Sequence, residues 1–371
     1  MMLEYFSVSN YKNFGNTVTL DFRKSKDYPF NQNLIRDGLI NKALLIGVNG
    51  SGKTNLGLAI FDIVYTLTDS IADSEQVDES TFINGDSDLS YAEFSYGFQS
   101  DGSRFRYTYR KTAPRTIIYE SLSIDDSVVF IRDGSISDYS GLDIIGAESL
   151  RVDSISDGPL AVMRYVHNNT VQTEDSPVSR IMAFIEGMLY LRSTQDGCRF
   201  IGPMRGGETP EMYVVDNGLV DGFGEFLRET GKVDMELGLS RGPFGDLLVQ
   251  RTAKKDLLFG KVASSGTKAL LDLYYCMNHF KDISFLFMDG FDVFYHHEVA
   301  VRILSRMCVE GGFQTVFTSH NTSLIDNGIM RPDCYMVLRD GCIWLFPELT
   351  DRELRQGHSL EKMLRNGVFD D

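Results

Sequence analysis

Apolar residues follow two different patterns along the chain. From Ser90 to Val166, short segments such as AEFSYGF, SRFRYTYR and TIIYESLSI alternate between apolar and polar positions, which predicts antiparallel hairpins. In the last third, the continuous apolar runs ISFLFMD and FQTVFTS alternate with the helical patterns TKALLDLYYCMNHF and HEVAVRILSRMCV. Strands that are apolar on both faces and are separated by helices predict a mostly parallel sheet flanked by helices.

The same alternation of strand and helix appears near the start of the chain. Residues 43–46 form a short apolar run, a glycine-rich stretch follows it, and apolar residues beyond Lys53 recur at helical spacing. Between these regions, SPVSRIMAFIEGMLYLRS predicts a helix that begins near Pro177. We therefore predict an α/β fold with a split core. The predicted divisions are a core at 1–75 and 252–371, an antiparallel β-rich lobe at 76–166, and a mixed helical insertion at 167–251.

The stretch GVNGSGKT, residues 47–54, matches the pattern G-x-x-x-x-G-K-[ST] in full and lies between the predicted strand and helix. Glycines let the backbone curl with its N–H groups inward around a polyanion, and the helix presents its positive end to the same charge. Lys53 is predicted to reach the β- and γ-phosphates, and Thr54 to ligate Mg²⁺. The alternative is a glycine turn without a ligand. The predicted nucleotide-binding residues of the loop are Asn49, Gly50, Ser51, Gly52, Lys53, Thr54 and Asn55.

Two further polar residues follow apolar strands of the last third. Asp289 ends the run ISFLFMD and His320 follows FQTVFTS, so both are expected at the carboxyl edge of the sheet, where open α/β sheets bind ligands. Asp289 is placed to hold Mg²⁺ through water, and the His320 imidazole can donate to a phosphate oxygen. The alternatives are a carboxylate that caps a turn and a structural histidine. The adjacent pair at 296–297 lacks a ligand cluster and predicts no metal site.

The stretch SSGT lies at the start of another predicted helix. Ser264, Ser265, Gly266 and Thr267 include no carboxylate, so hydroxyls, open backbone amides and the helix dipole would all point at an anion. One chain would then carry two phosphate-binding helix ends. Because a P-loop surrounds its nucleotide on one side only, the economical arrangement is a head-to-tail dimer. In it, each SSGT would cap the γ-phosphate that the other subunit holds.

Together, these motifs resemble those of the ABC-class ATPases related to Rad50, SMC and RecF. They most closely resemble the compact OLD-like or AAA15-type ATPases of prokaryotic defence systems such as PARIS. The resemblance covers about two thirds of the chain. VSNYKNFGN is similar to the opening motif, GVNGSGKT to Walker A, SSGT to the ABC signature, FLFMDGFDVFYHH to Walker B and the D-loop, TSHN to the switch histidine, and SLEKMLRNGVFD to the C-terminal helix.

The resemblance implies a P-loop NTPase of the ABC type that binds ATP and Mg²⁺. Ser264 and Gly266 would contact the γ-phosphate held by the other subunit, and His320 would sense it. Asp292 would lie in the D-loop at the dimer interface. Lys12, Asn13 and Phe14 would lie near the adenine. The glutamine of the Q-loop, which contacts Mg²⁺ in this family, has no clear position in the sequence.

The chain departs from the family at Gly290, where relatives carry the glutamate that polarises the attacking water. Asp292 lies two residues on, about 6.6 Å away in an extended chain at roughly 3.3 Å per residue, so it replaces the base only if the loop curls. General bases contribute about 10²- to 10⁴-fold to a rate. We therefore expect Mg²⁺-dependent ATP binding with weak or partner-dependent hydrolysis. The candidate catalytic residues are Lys53, Asp289, Asp292 and His320.

Composition limits the remaining choices. The chain has 371 residues, of which 43% are hydrophobic, and its five cysteines are scattered without CxxC spacing, which predicts reduced core thiols. It contains no run long and apolar enough for a membrane span and no signal-peptide pattern, so we expect a cytoplasmic protein without a membrane partner. The net charge of −16 gives no general help to nucleic-acid binding.

The expected partners are a second copy of the chain, in a homodimer or a larger assembly of dimers, and a separately encoded effector such as a nuclease or toxin. Only 51 residues follow His320, too few for the nuclease domain of the OLD proteins. One alternative is a nucleotide switch or scaffold that does not hydrolyse ATP. Another is a DNA-repair clamp like RecF, for which the most basic segment is SRFRYTYRKTAPR, residues 103–115.

Overall fold

The computed structural model describes residues 1–68, 70, 78–152, 155–194, 197–202, 209–243 and 245–369. The described strands are β1 (Met2–Ser9), β2 (Val18–Asp21), β3 (Ile35–Arg36), β4 (Leu39–Ile40), β5 (Lys42–Ile46), β6 (Ala92–Ser100), β7 (Ser103–Ala113), β8 (Thr116–Ile124), β9 (Ser127–Arg132), β10 (Met188–Thr194), β11 (Gly197–Ile201), β12 (Leu237–Gly242), β13 (Gly245–Gln250), β14 (Leu257–Leu258), β15 (Phe285–Asp289), β16 (Gln314–Ser319), β17 (Tyr335–Arg339) and β18 (Cys342–Leu345). The described helices are α1 (Lys53–Ile60), α2 (Asp62–Leu67), α3 (Val162–Asn169), α4 (Pro177–Glu186), α5 (Pro210–Asp216), α6 (Val220–Phe226), α7 (Phe259–Val262), α8 (Ser265–Met277), α9 (His297–Val309) and α10 (Leu360–Arg365).

A mixed sheet forms the centre of the protein. Within the described residues its strand order is β11-β10-β15-β16-β5-β17-β18, and the five inner strands run parallel. The strands β5, β15 and β16 are buried at every position, as their continuous apolar runs require. The predicted α/β fold is confirmed, with antiparallel strands at both edges of the sheet.

A second, antiparallel sheet has the order β2-β1-β6-β7-β8-β9 in the described part of the chain. Its aromatic inner face packs on the helices that follow the glycine loop. Tyr96 donates hydrogen bonds to the carbonyl oxygens of Ala59 and Ile60, and the buried Lys111 Nζ lies 2.6 Å from Asp62 Oδ2. The antiparallel sheet is therefore a second layer over α1 and α2.

The sheets do not follow the predicted divisions of the chain. Strands β1 and β2, which were assigned to the core at 1–75, belong to the antiparallel sheet because β1 pairs with β6. Strands β10 and β11, which were assigned to the insertion at 167–251, belong to the central sheet. The boundaries of folding units within the chain stay a prediction.

The helix predicted from SPVSRIMAFIEGMLYLRS is too long. The structure confirms its start at Pro177, where Ser176 accepts a hydrogen bond from the Ser179 amide, but the helix ends at Glu186. A side chain at Gly187 would meet the backbone of Asp282 and Ser284 at 3.0 Å, so this glycine allows the chain to pass close to the central sheet. The following residues, MLYLRST, form β10.

Two smaller expectations have mixed outcomes. The predicted hairpin turn is present, since Asp340 and Gly341 have φ values of 52° and 70° between β17 and β18. All five cysteines are free, as expected, but Cys342 is exposed rather than part of the core. Among the described residues, no helix combines the length and the apolar character that a membrane span needs.

Candidate nucleotide-binding site

The glycine loop joins β5 to α1 at the carboxyl edge of the central sheet. Gly50 and Gly52 have φ values of 79° and 106°, a conformation that side chains with a Cβ rarely adopt. A Cβ at Gly52 would also lie 2.5 Å from Asn13 Nδ2 and 2.8 Å from the Phe14 ring. The Ser51 Oγ is buried without a hydrogen-bond partner. The local sequence therefore produces a curled backbone that begins a helix at Lys53, as a phosphate-binding loop requires.

Lys53 curls back over this loop. Its Nζ donates to the carbonyl oxygens of Gly47 at 2.7 Å and Val48 at 3.1 Å, and it lies 3.2 Å from His320 Nδ1. Because an ammonium group only donates, the contact requires Nδ1 to accept, which leaves the imidazole proton on Nε2. Burial lowers the pKa of Lys53, while the carboxylates of Asp289 and Asp292 oppose this shift.

Asp289 is the most strongly hydrogen-bonded group of the site. Its Oδ2 accepts from the hydroxyl groups of Thr54 at 2.8 Å and Tyr190 at 3.0 Å, and its Oδ1 accepts from Thr318 at 2.8 Å. Arg192 Nε lies 3.4 Å from Oδ2. The carboxylate is 4% exposed, so these contacts replace the water that it would otherwise bind.

The residues present fit a magnesium ion. Thr54 and Asp289 place a hydroxyl and a carboxylate oxygen side by side at the start of α1, and Mg²⁺ prefers such oxygen ligands. Magnesium in nucleotide sites needs only one or two protein ligands, because phosphate and water complete its octahedron. In line with this, no group of three or more His, Cys, Asp or Glu side chains in the described part of the chain forms a metal cluster.

The chain turns sharply after Asp289. Gly290 has a φ of 58°, and the Val293 amide donates to the Gly290 carbonyl at 3.1 Å. The curl brings Asp292 beside Ser319, His320 and Asn321, which oppose the rise in the pKa of Asp292 that burial causes. The loop after Asp289 is therefore curled, and the role of Asp292 as a base stays a prediction.

The segment before β2 lies against the glycine loop. Asn13 Nδ2 donates to the Ser51 carbonyl at 3.4 Å, and Asn55 Nδ2 donates to Asn13 Oδ1 at 2.6 Å. Phe14 is 1% exposed and packs under Gly52, so it supports the loop and presents no open face to a base. Lys12 Nζ lies 3.4 Å from Thr81 Oγ1. The contact of these residues with an adenine stays a prediction.

A cleft of about 700 Å³ opens beside the loop. Its walls are the loop backbone at 46–51, His320 and the β17-β18 turn at 339–341, with Asn13 at its rim. Clefts of this volume accommodate small ligands and cofactors. The cleft thus provides room for a ligand beside the glycine loop and His320, whose Nδ1 lies 3.2 Å from Lys53 Nζ.

The predicted signature residues lie at the start of α8. Ser264 and Ser265 are exposed, and Ser264 caps the helix by accepting a hydrogen bond from the Thr267 amide at 3.2 Å. Thr267 is buried, and a Cβ at Gly266 would lie 2.7 Å from the Phe294 carbonyl oxygen. The helix start is therefore open to a ligand from outside and packs against the loop that follows Asp289.

Sequence reasoning missed Tyr190, Arg192 and Thr318. Thr318 lies in the apolar run before His320 and could have been noticed, since alternate residues of β16 share a face. Tyr190 and Arg192 lie on β10, which was assigned to a helix. Near the end of β10, Arg192 lies directly opposite Asp289, and its Nε is 3.4 Å from Oδ2.

The basic segment at 103–115 is partly neutralised. Arg104 Nε lies 3.2 Å from Glu4, Arg110 Nε lies 2.6 Å from Glu93, and Lys111 is buried on Asp62. Arg106 and Arg115 are exposed, and the side chain of Arg104 is itself 74% exposed. The segment is thus a sheet face whose basic side chains are partly paired with acidic ones.

The fold and the loop together define a P-loop α/β protein. No model of a known protein family matches the chain, and no curated protein matches its sequence. The similar solved structures include three SMC heads. They are the SMC head bound to the C-winged helix domain of ScpA (16% identity, 92% of this chain and 96% of that chain covered, TM-score 0.45), the SMC head domain from Thermotoga maritima (13%, 93% and 99%, 0.44), and the Smc head domain with an extended coiled coil bound to the C-terminal domain of ScpA derived from Pyrococcus furiosus (15%, 98% and 98%, 0.48). At these identities and scores, the similarity carries no conclusion about function.

Proposed function

We propose that the chain is an ABC-class ATPase subunit that closes head-to-tail with a second copy around ATP and Mg²⁺. The observation that carries this proposal is the presence of two separate phosphate-binding elements on one chain. One is the glycine loop with Lys53, Thr54 and Asp289. The other is the exposed start of α8, where Ser264 and Ser265 face outward. Neither element alone would surround a triphosphate, whereas two copies facing each other would enclose it from both sides.

Exposed apolar side chains at these elements support the same arrangement. Val48 of the glycine loop is 76% exposed, Val293 of the loop after Asp289 is 63% exposed, and Val262 just before the signature residues is 42% exposed. Burial of each of these side chains in a closed dimer would stabilise the dimer, because apolar surface would be removed from water. The contact of Gly266 with the Phe294 carbonyl couples the signature helix to the loop that carries Asp292.

Hydrolysis by this subunit is expected to be weak. Gly290 provides no base, and Asp292 is the carboxylate that the curled loop holds beside His320. Charge stabilisation by Lys53 and a bound magnesium ion does not depend on a base, so ATP binding is retained. A non-hydrolysing nucleotide switch is the second candidate function, and Gly290 is the observation that favours it.

The cellular role that we propose is a sensor or scaffold subunit in anti-phage defence, acting on a separately encoded effector such as a nuclease or toxin. Its support is the resemblance of the motifs to those of OLD-like and AAA15-type ATPases. A DNA clamp like RecF is less favoured, because Arg104 and Arg110 are already paired with Glu4 and Glu93.

Mixing two inactive variants tests the head-to-tail dimer. Lys53→Ala removes phosphate binding, and Ser264→Arg blocks the signature, so neither variant forms a closed dimer alone with ATP and Mg²⁺. A mixture contains one intact composite site, and we expect light scattering after size-exclusion chromatography to detect an ATP-dependent dimer of about half the native yield or less.

The matched control is Ser359→Arg, which removes the corresponding cap of α10. We expect this variant to dimerise like the native chain. Dimerisation of Ser264→Arg alone, or a native chain whose mass does not change with ATP, would contradict the proposed function.

A further inference from the structure

Arg192 lies at the phosphate edge of the central sheet, next to the carboxylate expected to hold magnesium. Strand β10 runs parallel to β15, and Arg192 is directly opposite Asp289 in their register. Arg192 Nε lies 3.4 Å from Asp289 Oδ2, and the arginine side chain is 37% exposed while that of Asp289 is 5% exposed. A cation whose outer part reaches solvent thus rests against a buried carboxylate.

Asp289 Oδ2 is held by two hydroxyl donors and one cation. It accepts hydrogen bonds from Thr54 and Tyr190, which occupy both lone pairs of a carboxylate oxygen. Arg192 approaches the same oxygen as an ion pair, with its Nε 3.4 Å away. A magnesium ion held by Thr54 and Asp289 would place two positive charges beside the guanidinium, and like charges at this distance repel strongly. Among these partners of Asp289, Arg192 is the one whose charge a bound metal would oppose.

We propose that Arg192 is a second phosphate-binding cation of the site, paired with Asp289 in the nucleotide-free protein and transferred to the terminal phosphate of ATP when Asp289 serves Mg²⁺. This inference rests on the proposed function, since it requires a nucleotide in the loop. Thr54 and Asp289 would hold the ion, and a terminal phosphate bound to it would lie on the side of Asp289 where Arg192 Nε is already 3.4 Å from Oδ2. A planar guanidinium matches two phosphate oxygens at once.

Nucleotide titrations separate this role from a structural one. We expect Arg192→Ala to weaken binding of a fluorescent ATP analogue in Mg²⁺ by about ten- to a hundredfold, while binding of the matching ADP analogue changes by less than about threefold. Arg192→Lys should recover part of the ATP affinity. The control is Arg180→Ala. Arg180 lies on α4, is similarly exposed, and forms an ion pair with Asp101 at 2.7 Å. This control should leave both affinities unchanged.

In a metal titration without nucleotide, Arg192→Ala should have the opposite effect and should strengthen binding. Because Arg192 competes with a metal for Asp289, we expect Arg192→Ala to bind Mn²⁺ several-fold more tightly than the native chain, measured by electron paramagnetic resonance. An equal loss of ATP and ADP affinity, or weaker Mn²⁺ binding, would show that Arg192 only supports Asp289 and would overturn the inference. If the native chain binds neither nucleotide, the proposed function itself fails, whereas native ATP binding that Arg192→Ala leaves unchanged refutes this inference alone.

Discussion

The hydroxyl of Thr54 donates a hydrogen bond to Asp289 Oδ2 over 2.8 Å, joining residues that are 235 positions apart in the chain. Thr54 lies in the first turn of α1, which follows the glycine loop, and Asp289 ends β15. The two meet because β5, β16 and β15 are parallel neighbours whose carboxyl ends share one edge of the sheet. The site is thus assembled from both ends of the chain.

This contact predicts a magnesium-specific defect. Thr54→Ala removes the hydroxyl ligand, so we expect ATP affinity to fall about tenfold in Mg²⁺ and to change little in EDTA. Thr54→Ser keeps the hydroxyl and should retain most of the affinity. Titration of a fluorescent ATP analogue under both conditions provides the measurement. An equal loss in EDTA would mean that Thr54 holds the loop rather than the metal.

Gly290 is required by the backbone. At a φ of 58°, a residue with a Cβ costs about 1–2 kcal/mol, and an alanine Cβ would also lie 3.2 Å from the Val293 side chain. We expect Gly290→Ala to reduce the free energy of unfolding in urea by about that amount, and Gly290→Asn by less, because asparagine tolerates this conformation. Gly85→Ala is the control, since its Cβ would meet nothing within 4 Å. The same strain applies to Gly290→Glu, so restoring the glutamate is expected to restore hydrolysis incompletely.

Asp292 is predicted to support the remaining hydrolysis. We expect Asp292→Asn to reduce single-turnover phosphate release by about 10²-fold or more, while the exposed Asp351→Asn has no effect. A base acts when deprotonated, and burial raises the pKa of Asp292. The native rate should therefore fall on acidification at a pH above the ordinary aspartate value. A native rate that Asp292→Asn does not change would instead favour the non-hydrolysing switch.

Asp272 on α8 is predicted to make stability depend on pH. Burial raises the pKa of Asp272 from 3.8 to about 7, so the folded protein holds this proton more tightly than the unfolded chain. The free energy of unfolding should fall as the pH rises from about 4 to 7, and the loss should persist above 7. Asp272→Asn removes this cost, and we expect it to be more stable at pH 8 by at most about 4 kcal/mol and equal to the native chain near pH 4. Urea unfolding at both pH values tests this, and a difference independent of pH would contradict it.

The paired arginines of β7 predict little DNA binding. Because Arg104 and Arg110 are neutralised by Glu4 and Glu93, we expect no salt-sensitive binding of duplex DNA by the native chain in a fluorescence anisotropy titration. The variant with Arg104, Arg106 and Arg110 replaced by alanine should behave the same. Strong native binding that falls with salt and is lost in this variant would support the DNA clamp.

Several elements of the site can be predicted from short stretches of sequence. The glycine loop, the strand that ends at Asp289, the strand before His320 and the turn at Asp340 follow from glycine placement and hydrophobic periodicity over a few residues. The central strands β5, β15 and β16 follow from the same patterns near the two ends of the chain. These features depend on neighbours in the chain, so the sequence by itself determined them.

The tertiary structure decided which distant strands became neighbours. The run MLYLRST continues a helical pattern, yet the tight backbone approach at Gly187 and burial against β15 make it β10, which brings Tyr190 and Arg192 to Asp289. Packing against β16 likewise curls the loop that holds Asp292 near His320. The pairing of β1 with β6 is another contact across the fold. Such pairings depend on burial and hydrogen-bond register between segments far apart in the chain, and no local pattern encodes them.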